Sequence, residues 1–131
     1  MTSVKALLYQ RIVSDSAVGQ IAGRNVFPQQ AREDSSFPMV VFYQLPSQPL
    51  QALEAQLGTE RHTYQVDCMA LTYQRADELS VAVKNALKSW SDETVSSCRL
   101  DDQHDDLDEP RTSSENAVHR VIQVWIIWAK Q

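Results

Sequence analysis

The chain has 131 residues, 43% of them hydrophobic and 22% charged, with a formal net charge of −5 at pH 7. This size and balance suit one globular domain over residues 1–131, long enough to bury roughly two-thirds of its unfolded surface. The negative charge argues against a protein whose main task is gripping nucleic-acid phosphates, and no apolar stretch approaches the roughly 18 residues of a membrane span.

A first helix is expected over residues 3–13, where Val4, Leu7, Leu8, Arg11 and Ile12 recur at helical spacing. This start is amphipathic and lacks the unbroken apolar core of a signal peptide, so an intracellular protein is expected. Asp15 or Ser16 can cap a short second helix carrying Ala17, Val18 and Ile21, ended by Gly23 in the left-handed conformation. Asn25–Pro28 reads as a short strand or an extended entry, stopped by its proline. Phe37-Pro38 then opens a strand, Met39–Leu45, which stops before Pro46. Residues 46–59 mix Gln, Leu and Ala without clean alternation, which predicts a mobile loop or a hairpin arm.

Residues 60–71 return as a long strand. Tyr64, Val66, Cys68 and Ala70 point one way, and Thr63, Gln65, Asp67 and Met69 the other, so one face is buried and one is more polar. Residues 72–90 form the clearest helix, with Ala76, Leu79, Val83, Leu87 and Trp90 on one face and Thr72 as its N-cap. Asp77 and Glu78 lie near its positive end, and Lys84 and Lys88 near its negative end, as the helix dipole favours. Val95–Leu100 is the penultimate strand, leading into an acidic loop, Asp101 to Pro110. The last strand, Val118–Trp128, turns apolar on both faces toward its end, so it is central in the sheet or lies under another chain.

The order helix, strand, strand, helix, strand, strand predicts an α+β fold. It consists of a largely antiparallel sheet of about four strands with helices packed on one face, leaving the second face open to partners.

These elements, in this order, resemble the tail completion, or tail terminator, family of long-tailed bacteriophages. The resemblance rests on the Leu8-Tyr9-Gln10-Arg11 helix, the Gly23-Arg24-Asn25-Val26-Phe27-Pro28 segment and the Phe37-Pro38-Met39-Val40-Val41-Phe42 strand. It continues through Tyr64-Gln65-Val66-Asp67-Cys68, Thr72-Tyr73-Gln74-Arg75-Ala76 and the closing Arg120–Ile126 strand. It implies a virion structural protein that forms a ring, typically a hexamer, ending tail-tube growth and joining the tail to the head connector. The implied partners are further copies of the chain, the major tail tube protein and a head completion or connector protein, with DNA passing through the ring without specific binding. Its implied location is the head-proximal end of the tail, and the host cytoplasm before assembly. The acidic stretch after Leu100 is denser than the family pattern leads one to expect.

The residue types point away from catalysis. Only Gly19, Gly23 and Gly58 are present, too few for a phosphate-cradling loop, and no serine sits in a Gly-x-Ser-x-Gly turn. His62, His104 and His119 are scattered, and His104 beside Asp102 and Asp105 reads as a surface histidine in a charged loop. Cys68 and Cys98 lack metal-ligand spacing and read as buried thiols; they can pair only if their strands lie side by side. No catalytic residue, cofactor or metal site is expected.

Interface candidates are Trp125 and Trp128, three apart and so on opposite faces of a strand, with Gln48, Leu50 and Leu53 in the 46–59 segment. Asp101, Asp102, Asp105, Asp106 and Asp108 are expected to form an acidic surface facing a ring lumen or docking on a neighbour. They lack the glycine turn of a calcium loop. The competing reading is a monomeric intracellular adaptor or inhibitor whose acidic loop imitates nucleic acid.

Overall fold

The computed structural model describes residues 3–32, 36–46, 58–110 and 116–130. Helix α1 (Val4–Val13) begins where the Ser3 hydroxyl accepts the Ala6 N–H at 3.1 Å, and it buries Leu8 and Ile12, one turn apart. Asp15 caps α2 (Ser16–Ala22) by accepting the Val18 N–H at 3.1 Å. Gly23 ends α2 with φ 61° as expected, but its ψ of −124° lies far from the left-handed helical region. A residue without Cβ adopts that geometry at little cost.

The sheet has five strands rather than four, and it is mixed. Strand β1 (Val26–Pro28) runs parallel to β2 (Met39–Gln44), with Val26 opposite Val40. This segment, expected as a short strand or an extended entry and left out of the count of four, is a strand of the sheet, and its parallel direction arises because the chain turns back before β2 begins. β3 (Thr59–Ala70) is antiparallel to β2 and to β5 (Val118–Lys130), and β4 (Val95–Asp108) is antiparallel to β5. The spatial order β1-β2-β3-β5-β4 leaves β1 and β4 as the two edges and makes β5 central, as its apolar faces require.

The three helices among the described residues pack on one face. α3 (Tyr73–Leu87), capped by the Thr72 hydroxyl, lays its buried Ala76, Leu79, Val83 and Leu87 over Tyr64, Val66, Cys68 and Ala70 of β3 and Trp125 and Ile127 of β5. α3 ends at Leu87, short of the expected Trp90. Lys88 (φ −61°, ψ 138°) and Ser89 (φ 61°) turn the chain, and the Trp90 N–H donates to the Leu87 carbonyl at 3.1 Å, a type II turn. Trp90 still anchors the core, and its indole N–H donates to Asp92 Oδ2 at 2.8 Å. Asp92 Oδ1 accepts the N–H groups of Thr94 and Val95, both at 2.8 Å, and so launches β4.

The second face is not bare. Phe27, Met39 and Val41 are buried there, and Ala31 and Phe37, from the segment joining β1 to β2, pack against them with Met69. Cys68 and Cys98 are both reduced and buried, and burial raises their thiol pKa values, that of Cys98 to about 12. Their strands flank β5 on opposite sides, roughly 10 Å apart by strand spacing, so they cannot pair with each other.

Candidate functional site

The acidic segment read as a loop is strand. β4 runs on to Asp108, and residues 102–108 pair with 118–124 of β5 after an irregularity between Leu100 and Asp102. Every residue from Asp101 to Pro110 is exposed. A strand wetted on both faces shows no apolar alternation, so it carries no strand signal of its own; the continuous ladder to β5 imposes it. Asp102, Asp106 and Asp108 lie opposite Val124, Arg120 and Val118, on the sheet face away from the helices. Asp105 lies on the helix side, where it accepts the Tyr73 hydroxyl at 3.2 Å and raises that phenol's pKa.

At the start of β5 one guanidinium gathers three of these strands' carboxylates. Arg120 Nη2 donates to Asp67 Oδ2 at 2.6 Å, and its Nη1 lies 3.3 Å from Asp108 Oδ1 and 3.8 Å from Asp106 Oδ2. The Asp67 side chain is 5% exposed and also accepts the Gln65 amide at 2.9 Å. Burial works against the Arg120 charge, but the hydrogen bond and attraction of Asp67, reinforced by Asp108, hold its pKa above the ordinary arginine value. His104 Nδ1 stands 3.0 Å from Asp102 Oδ2, and both side chains are well exposed. Among the described residues, no three His, Cys, Asp or Glu side chains are grouped to hold a metal ion.

Among the described residues, the opposite edge gathers three cations. A cleft of about 500 Å³ opens between α1 and β1, with Lys5, Arg24 and Arg32 on its walls and Tyr9, Phe27 and Pro28 among its apolar lining. These three cations are spread over 28 positions of sequence, so nothing local in the chain announces them as a group. The Asp67–Arg120 pair was equally hidden. Its one sequence signal is two opposite charges on the polar sides of two otherwise apolar strands.

The tryptophans separate as their spacing requires. Trp125 is wholly buried in the core, which removes it as an interface candidate, because its side of β5 is covered by α3. Trp128 is half-buried on the other face, with the Arg61 guanidinium 5.9 Å from its ring centre. Gln48, Leu50 and Leu53 fall outside the described residues, as does most of the 46–59 segment.

No curated protein matches the chain in sequence. In three dimensions it superposes on a chain of a structure titled "Virion of native gene transfer agent (GTA) particle" with a TM-score of 0.69. The match covers 98% of this chain and 96% of that one at 15% identity, a likeness of fold. Residues 6–128 match the family described as Tail completion protein gp17. That span is nearly the whole sequence, so the chain belongs to this tail completion family and has a structural role in a phage tail.

Proposed function

We propose that the chain forms a ring, of six copies, that ends growth of the tail tube and joins the tail to the head connector. The observation that carries this reading is the family match over residues 6–128. The shape of the sheet supports it: two chemically different edges let identical subunits associate head to tail, the arrangement from which cyclic assemblies are built. One ring face meets the major tail tube protein and the other a head completion or connector protein. DNA passes through the lumen without specific binding, consistent with a net charge of −5. The subunit waits in the host cytoplasm and ends up at the head-proximal end of the tail.

A monomeric inhibitor imitating nucleic acid has less support. Such a surface must line its charges up along one face, yet Asp102, Asp106 and Asp108 lie on one face of β4 and Asp105 on the other.

Withdrawing the chain from an assembling phage tests the proposal. Electron microscopy is expected to show tails of uncontrolled length that do not join filled heads, and purified chain added back restores joining. Normal tails joined to heads in its absence would end this reading. Native mass spectrometry of the joined complex checks the six-fold stoichiometry.

A further inference from the structure

The two edges of the sheet differ in charge as well as in shape. At one end, β4 presents Asp101, Asp102, Asp105, Asp106 and Asp108, all exposed, along a strand whose outer side has no partner strand among the described residues. At the other end lies the cleft of about 500 Å³ walled by Lys5, Arg24 and Arg32. Four strand spacings separate these edges, roughly 19 Å. That is about twice the distance over which salt screens charges in the cell. Within one subunit, therefore, the acidic edge and the cationic cleft do not neutralise each other.

We infer that the cationic cleft between α1 and β1 receives the acidic β4 edge of a second copy of this chain. This rests on the ring reading and says which surfaces make the ring. Charge complementarity selects the occupant. Two β4 edges repel one another, as do two clefts, so the symmetric pairings that would give a closed dimer are disfavoured. Only the cleft-to-edge contact is attractive, and it leaves the growing assembly with one unused surface of each kind. The cleft has the apolar Val26 and Phe42, from the helix side of the sheet, among its lining, which suits insertion of a protein strand margin. A duplex backbone would be served by a continuous cationic track across the surface, and the five aspartates elsewhere on the chain oppose it.

Charge reversal tests the pairing. Arg24 and Asp101 are both exposed, so Arg24→Asp and Asp101→Arg are expected to keep the thermal midpoint of the parent. Self-association is measured by sedimentation velocity and lysine-directed cross-linking, at low and high salt, with and without purified tail tubes to promote assembly. Each single reversal is expected to weaken association on the order of 100-fold by placing like charges in contact, and the chain carrying both reversals to recover it. Raising the salt is expected to weaken the parent's association. Parent rings that tolerate both single reversals, or single-variant losses that the double variant does not repair, would overturn the cleft-to-edge contact while leaving the ring itself standing. A parent chain that stays monomeric with tubes present overturns the ring reading and this contact together. Retention of a short DNA duplex that is lost on Arg24→Asp, with self-association unchanged, would assign the cleft to phosphate and overturn the inference.

Discussion

The Trp125 indole N–H donates to Gln123 Oε1 at 3.0 Å, two residues back on the same side of β5, and both side chains are wholly buried. The Gln123 amide then donates to the Ser80 carbonyl of α3 at 3.0 Å and to Gln103 Oε1 of β4 at 3.1 Å. One carboxamide thus ties the central strand to the helix above it and to the edge strand beside it. Gln123→Leu preserves the volume but leaves the indole donor unmet in the core, at a cost of about 1–3 kcal/mol. Urea unfolding followed by tryptophan fluorescence measures it, and a change within about 0.5 kcal/mol would mean the network is not stabilising.

Arg120 and Asp67 form a pair that is costly to break on one side only. Arg120→Met leaves the Asp67 carboxylate, 5% exposed, without its cation, and is expected to destabilise by about 3–5 kcal/mol. Arg120→Met combined with Asp67→Leu is expected to recover most of that loss, because no buried charge remains. Thermal melts of the two single variants and the double variant decide it. Additive losses would show that the two groups act independently.

Asp92 sets a pH dependence. The Val95 N–H, the Trp90 indole and the Thr94 N–H all donate to it and hold its pKa below the ordinary aspartate value. Its folded pKa is depressed, so its contribution is fully present above the unfolded-state value of about 3.9 and is lost as pH falls through the folded value. Asp92→Asn places an amide where one of the donors needs an acceptor. The variant is expected to be less stable than the parent at neutral pH, with the gap narrowing in acid. A gap that stays constant from neutral pH to pH 3 would contradict this assignment.

Ser89 occupies the position of a type II turn that requires positive φ, here 61°. A left-handed conformation costs a residue with Cβ about 1–2 kcal/mol, while glycine gives back about 0.4–1 kcal/mol through a freer unfolded chain. Ser89→Gly is therefore expected to stabilise by roughly 0.5–1 kcal/mol, read as a higher urea midpoint. A lower midpoint would show that the serine side chain stabilises the turn by more than its strain costs.

The helices were legible because each announces itself at both levels. Ser3, Asp15 and Thr72 cap as their chemistry suggests, and the stripe from Ala76 to Leu87 is buried throughout. The two-sided apolar character of the last strand implied a place in the centre of the sheet or under another chain, and β5 lies between β3 and β4. Strand signals failed where burial is absent or brief. Asp101–Asp108 is wet on both faces and was read as a loop, while Val26–Pro28, three residues long, could be read only as a short strand or an extended entry. Gln123 was invisible as a core residue because a polar side chain within an alternating strand reads as solvent-facing until its partners on α3 and β4 are known. The acidic cluster could be seen in the sequence, whereas the cationic cleft is assembled from positions 5 to 32 and exists only after folding.

The placement of β5 between β3 and β4 also governs when the subunit can become whole. β3 ends at Ala70, and the strand that fills its open side is finished only at Lys130, some 60 residues later. At ribosomal speeds of roughly 5–20 residues per second that interval lasts about 3–12 s. β4 is complete at Asp108, within that interval, and until β5 follows it β3 and β4 have no neighbour in common, so the nascent chain cannot yet form the complete sheet. The order of the strands is in this sense a clock: it delays the finished subunit until the central strand has been synthesised.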